Sequence, residues 1–308
     1  MGLVRTLILK GSQNEWLRKH AQSFPFVRRA VSRFMPGEHL DDAVAAARNL
    51  ASRGIMAMLT KVGENVTDAG QATAVTDHYL EVVRRIRETG IPAEVSVKLT
   101  HLGLDLGVDL CLENLLRIVE QSAGSVVWID MESSEYVDRT LHIFRRAKAV
   151  HQNVGVCLQA YLYRTEADLT SLLPLDPAIR LVKGAYNESA SVAFPRKQDV
   201  DRNFFELARR MIGPEGRRAG LRAQIATHDV TLTRRIEQFV SANGADRGNF
   251  EFSFLYGVQR SEQIRLARAG YRTVVLITYG TYWFPWYMRR LAERPANVWF
   301  VLRSLVGG

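Results

Sequence analysis

The chain has 308 residues, of which 47% are hydrophobic, 24% charged and 9% aromatic, a balance that excludes fibres and disordered chains and fits a soluble globular protein. Lys and Arg number 41 against 32 Asp and Glu, a formal charge of +9, yet the bases are scattered and gather in nothing longer than pairs such as Arg28-Arg29 and Arg217-Arg218. That pattern lacks a nucleic-acid footprint, so nucleic acid is not an expected partner, while peripheral contact with an anionic membrane surface stays open.

Cys111 and Cys157, the only cysteines, are too few for a disulfide framework or a cysteine metal site, and both sit in apolar runs that read as buried thiols. The apolar stretch Leu3 to Leu9 lacks a small-residue cleavage site. No run of about 18 apolar residues occurs. The expected location is cytoplasmic. No low-complexity tract or Gly/Ser linker divides the chain, which predicts one domain: a helical segment over residues 1–53, clearest from Leu40 to Ala51, then a barrel over 54–308.

From Gly54 onward, short runs rich in β-branched residues alternate with helical ones. The predicted strands are Gly54 to Leu59, Ala93 to Leu99, Ser125 to Met131, Val154 to Gln159, Ile179 to Lys183, Arg222 to Thr227, Phe250 to Leu255 and Arg272 to Ile277. Between them, 3.6-residue periodicity predicts helices over Asp68 to Glu88, Asp109 to Gln121, Ser134 to Ala149, Thr165 to Leu173, Asp201 to Ile212, Thr231 to Asn243 and Ser261 to Ala269. Several open on an Asp, Ser or Thr cap, and Gly90, Gly213, Gly244 and Gly270 follow helix ends. Eight strands joined by helical crossovers make a (β/α)8 barrel of TIM type.

Such barrels build their sites at the carboxyl ends of the strands, and here those ends are polar. They carry Lys98, Asp130 with Glu132, Gln159, Arg180 with Lys183, and Thr227-His228-Asp229. After the eighth strand come Tyr279-Gly280, an aromatic run containing Trp286, and Arg289-Arg290. Each has a plainer alternative: Lys98 as a salt bridge to Asp130, His228 as a satisfied core histidine, the arginine pair as a complement to a helix dipole. No second His or carboxylate stands at metal-ligand spacing to His228, so no metal is expected. The set holds no Ser or Cys nucleophile paired with a base, no close carboxylate pair and no Gly-rich phosphate loop. Cations able to hold a carboxylate or a diphosphate, set among aromatic side chains, suit chemistry carried by a bound cofactor.

The strings SVKLTHLGLD, WIDMESS, LQAYLYRT, IRLVKGAY, ATHD, FEFSFLYG and RRLAERPANVWFVLRSL, in order from about Arg33 to Leu305, resemble the proline dehydrogenases. The resemblance implies an FAD-dependent oxidation of proline to pyrroline-5-carboxylate, with electrons passed to a quinone-type acceptor. On the matching positions it implies that Lys98, Arg289 and Arg290 bind the substrate carboxylate, that Asp130 orders these cations, and that Arg180 stands by the flavin N5. Met131, Gln159, Lys183, Gly184, Ala185, Thr227 and His228 fall on FAD contacts, Glu64 on a carboxylate that pairs with Arg289, and Leu255 on an apolar wall. Two positions depart from the pattern, Leu276 and Trp286, each standing where family members carry a tyrosine. Two further readings follow: the same chemistry on a substituted proline or another cyclic imino acid, and an inactive barrel that binds an amino acid as a sensor.

Overall fold

The computed structural model describes residues 31–122 and 124–283. Helix α1 (Leu40–Ala51) precedes the barrel proper. The order that follows is β1 (Met56–Lys61), α2 (Ala69–Thr89), β2 (Ala93–Val97), α3 (Val108–Gln121), β3 (Val127–Ile129), α4 (Val137–Val150), β4 (Val154–Gln159), α5 (Thr165–Leu172) and β5 (Ala178–Val182). Then come α6 (Lys197–Ile212), α7 (Pro214–Arg218), β6 (Arg222–Ala226), α8 (Val230–Ala242), β7 (Phe250–Leu255), α9 (Arg260–Arg268) and β8 (Arg272–Tyr279). Neighbouring strands pair in parallel, and β8 pairs with β1, so the sheet closes into an eight-stranded barrel. The expected fold is the one observed.

Strand periodicity divides the side chains between two environments. On β2, Val95 and Val97 face the helices and join the main core, as do Val127 and Ile129 of β3 and Ile179 and Leu181 of β5. The alternate positions point into the barrel, where Met58, Trp128, Ala178 and Val274 form a separate apolar cluster. Inward positions that are polar, such as Ser96, Arg180 and Gln224, are buried and must therefore find partners inside the barrel.

Helix α1 buries Ala43, Val44, Ala46, Ala47 and Leu50, an i, i+3, i+4, i+7 stripe, against β1 and β8. It thus covers the seam where the barrel closes. Asp42 accepts the His39 backbone N–H at 3.0 Å and ties the entry of this helix.

Boundaries differ locally from expectation. The third strand spans Val127–Ile129 alone. Helix α6 begins at Lys197, ahead of the expected Asp201. The short helix α7 had no counterpart among the predicted elements: Gly213 does not close α6 in a left-handed turn but stays extended and leads into Pro214, since a residue before proline is held out of helical conformations. Gly90 does take the left-handed conformation, with φ 63°, as a helix C-cap favours. No described helix is long and apolar enough to cross a membrane.

Candidate active site

The carboxyl ends of the strands open into a cavity of about 1270 Å³. At its floor, Asp130, the residue after β3, accepts from three donors. Lys98, the residue after β2, contributes Nζ at 3.1 Å, Ser96 contributes Oγ at 2.7 Å, and Arg180 of β5 makes an ion pair through Nη2. Burial would raise the Asp130 pKa, but the Lys98 and Arg180 charges outweigh it and hold the carboxyl below its ordinary range. Burial likewise opposes the Lys98 ammonium, and Asp130, with Tyr186 and Glu132, reverses that and keeps it charged. The same balance holds Arg180 above its ordinary value. The three groups are a coupled set whose ionised forms sustain one another in a dry site.

Arg180 has further partners. Its Nη1 points at Met58 Sδ at 2.7 Å, its Nη2 donates to Ser96 Oγ at 3.1 Å, and its guanidinium carbon lies 5.6 Å from the centroid of the Trp128 ring. Glu132, two residues beyond Asp130, is differently employed. It accepts the Thr100 backbone N–H at 3.1 Å and the Thr100 hydroxyl at 2.7 Å, clamping the turn after β2, and burial pushes its pKa up.

A second polar group lies along the β5 and β6 ends. Lys183 Nζ donates to Asp201 at 2.5 Å and to Asp229 at 2.9 Å, and Lys197 bridges the same two carboxylates. Burial opposes ionisation of Asp229, but Lys183 and Lys197 prevail and draw its pKa down to about 2. Gly184 follows at φ 112°. A Cβ on it would fall 2.3 Å from the Tyr161 ring, so only glycine lets the backbone pass here. Thr227 is buried, with Oγ1 accepting the Asp229 N–H at 3.2 Å.

His228 is half-buried on the cavity wall beside the Phe254 ring, which sets aside the core-histidine alternative. Gln159 donates from Nε2 to the Met131 carbonyl at 3.3 Å, while its Oε1 is buried without a hydrogen-bond partner among the described residues. Leu255 and Leu276, paired across β7 and β8, are both half-buried and form an apolar wall. Ala185 and Glu64 complete the lining from the loops after β5 and β1. Every described candidate therefore faces one cavity. Trp286, Arg289 and Arg290 lie outside the described residues.

A family model described as proline dehydrogenase matches residues 43–303. Proline dehydrogenase 1 of Bacillus subtilis is 37% identical over 306 residues, covering 99% of both chains. The chain belongs to the proline dehydrogenase family. Proline dehydrogenase of Deinococcus radiodurans is likewise 37% identical, over 90% of each chain, and the family places this protein among the oxidoreductases. Among solved structures, proline utilization A from Bdellovibrio bacteriovorus, inactivated by N-propargylglycine, superposes with a TM-score of 0.81 at 20% identity. That likeness shows the barrel fold, over 94% of this chain and 36% of the other, so the chain spans about a third of that protein.

Beneath the floor of this proline dehydrogenase barrel runs an ionic network absent from the sequence expectations. Arg222 donates to Glu94 at 2.6 Å and to Glu251 at 2.9 Å, Arg272 reaches Glu251 at 2.9 Å, and Gln224 donates to Glu251 at 2.9 Å. Its signal was present in the sequence: AEVSVKL, RAQIAT and FEFSFL alternate polar with apolar residues, which marks the inward face of a strand. Attention to strand ends alone passes over it. Among the described residues, no group of three or more His, Cys, Asp or Glu is placed to hold a metal ion.

Proposed function

We propose that this protein is an FAD-dependent dehydrogenase that oxidises L-proline to pyrroline-5-carboxylate. The observation that carries this reading is the Lys98–Asp130–Arg180 ion cluster at the floor of a 1270 Å³ cavity, in a chain 37% identical to named proline dehydrogenases. The residues present fit a flavin dinucleotide. The Gln159 Oε1, on the cavity wall, has no partner among the described residues, and the Gly184 backbone lines the same cavity at φ 112° with the Tyr161 ring against its Cα. Lys183 and Lys197, paired with Asp201 and Asp229 beside the β5 end, place ammonium donors within reach of a diphosphate. Met131, Gln159, Lys183, Gly184, Ala185, Thr227 and His228 are the residues proposed to hold the cofactor.

When bound, the flavin supplies the two-electron oxidant for the C5–N bond of proline, and a quinone-type acceptor removes the electrons. The chain's own groups bind and orient. Lys98, kept charged by Asp130, attracts the substrate carboxylate, together with Arg289 and Arg290 on the resemblance, and Glu64 pairs with Arg289. Asp130 accepts from three donors and is held ionised, so it orders cations rather than taking up a proton. Leu255 and Leu276 exclude water from the ring side of the pocket. Arg180 fixes a positive charge at the floor, which favours electron uptake by an acceptor bound above it.

Leu276 favours a second reading. It is half-buried and lines the cavity, and a leucine gives the ring no hydroxyl partner and less bulk than tyrosine, which suits a substituted proline. One anaerobic experiment tests both: the visible spectrum of the purified protein before and after L-proline, trans-4-hydroxy-L-proline and N-methylproline. Bleaching by proline supports the first reading, and bleaching only by a substituted ring supports the second. No flavin band after reconstitution with FAD overturns both in favour of an inactive barrel.

A further inference from the structure

Among the described residues Trp128 is the largest fully buried side chain, and it occupies the centre of the barrel rather than the sheet–helix core. It stands in the middle of β3, and its Cα partner on β4 is Gly155. A Cβ on Gly155 would fall 2.7 Å from the indole Cε3, so β4 gives up a side chain to admit the ring. The indole is fixed from one end: Nε1 donates to Glu94 Oε2 at 2.7 Å, and Glu94 also accepts from Arg222 at 2.6 Å. Two guanidinium groups lie against the ring, Arg222 at 5.4 Å and Arg180 at 5.6 Å from its centroid.

We propose that Trp128 is a positioning residue for Arg180, a platform that sets the place of its charge at the floor of the cavity. The proposal rests on the flavin-site reading given above. The hydrogen-bonding partners of Arg180, which are Met58, Ser96, Asp130 and the Cys157 thiol, meet its N–H edge, and among the described residues the Trp128 ring is the aromatic surface within reach of the guanidinium. Asp130 is shared with Lys98, leaving two cations to one carboxylate. A second carboxylate under Arg180 would cancel the charge the site presents. An aromatic face attracts the cation and leaves its formal charge intact. Glu94 strengthens this attraction, since a carboxylate accepting the indole N–H polarises the ring toward greater electron density. Met58, Trp128 and Gly155 thus form a device, running from the ionic network below to the ion cluster above, for keeping one arginine charged and still.

The test is the midpoint potential of the bound flavin, measured by anaerobic dye-linked titration of the holoenzyme. Trp128→Leu removes the ring and is expected to weaken the preference for reduced flavin about tenfold, which is about 30 mV for a two-electron couple. Trp128→Phe restores a ring and should recover most of that shift. Arg180→Met should lower the potential at least as far, and adding Trp128→Leu to it should change nothing more. A potential that Arg180→Met lowers but neither Trp128 variant moves overturns the proposal, as do additive shifts in the double variant. If Arg180→Met leaves the potential unchanged, the flavin-site reading itself falls. Should Trp128→Leu fail to fold, Trp128→Phe, which keeps a ring and loses the Nε1–H to Glu94, decides alone. A small residual shift, about twofold, that vanishes beside Arg180→Met supports the proposal, and no shift, or one that persists there, overturns it.

Discussion

Asp229 caps helix α8 with one carboxylate oxygen and holds Lys183 with the other. Oδ1 accepts the backbone N–H of Thr231 at 3.1 Å and of Leu232 at 3.4 Å, and Oδ2 accepts Lys183 Nζ at 2.9 Å. A helix start and a cavity cation are therefore fixed by a single side chain, so damage to either function is coupled to the other.

Replacing Asp229 by Ala removes both contacts and should cost about 1–2 kcal/mol in urea unfolding, the range of a lost N-cap. Asn keeps the capping oxygen and loses the charge, so it should cost less in stability while releasing Lys183. A flavin content reduced in both variants, with stability reduced mainly in Ala, is the expected pattern. Equal stability loss in the two would refute the division of labour.

The same carboxylate makes a pH prediction. Its folded pKa lies near 2 against an ordinary 3.8, so the unfolded chain takes up its proton first as pH falls. The stabilisation is complete above about pH 4 and disappears as pH drops toward 2. In unfolding midpoints recorded across that window, Asp229→Asn should show a shallower acid slope than the parent protein, and parallel slopes would contradict the assignment.

Asp130→Asn leaves Lys98 and Arg180 facing each other without their shared anion. Removing one partner from buried ions typically costs about 3–5 kcal/mol. Calorimetry should show that loss, and the residual folded enzyme should bind substrate analogues weakly because the cation geometry relaxes. Stability within about 0.5 kcal/mol of the parent would mean that Asp130 is dispensable to the cluster.

At Gly184, alanine meets both a positive φ and the Tyr161 ring. Gly184→Ala is expected to lower the ratio of visible to protein absorbance after purification more than it lowers the melting temperature. A full flavin complement in this variant would show that the backbone there does not approach the cofactor.

For substrate choice, Leu276→Tyr is expected to raise kcat/KM for L-proline relative to trans-4-hydroxy-L-proline by about 1–2 kcal/mol of discrimination, the scale of a small change in pocket volume. Equal changes for the two substrates would remove Leu276 from the ring pocket.

Much of the barrel was legible in the sequence because β-branched runs and helical stripes recur at regular spacing, and the helix expected over Leu40–Ala51 has those bounds. Strand ends were less so. The third strand starts late because the Val126 backbone N–H turns to the Glu94 carboxylate, whereas Asp130 at its end keeps a backbone bond to β2 through the Val97 carbonyl. Lys98 and Asp130 were readable as a pair because an interior lysine demands an anion. Trp128 was not readable as a partner of Arg180, because they lie far apart in the chain and meet only through barrel closure, and Glu94 and Arg222, whose Cα partners are on different strands, meet for the same reason.

Helix α1 and strand β8 bound most of the described chain, yet they pack on each other across the seam with β1. During synthesis the helix emerges early with β1 directly after it, and the part of its alanine face that meets β8 waits for the last strand. Closure is thus a contact of very long sequence separation, the kind that slows folding and leaves apolar surface open meanwhile. For this protein the vulnerable moment is the interval before the final strand leaves the ribosome, when seven strands already stand with two bare edges.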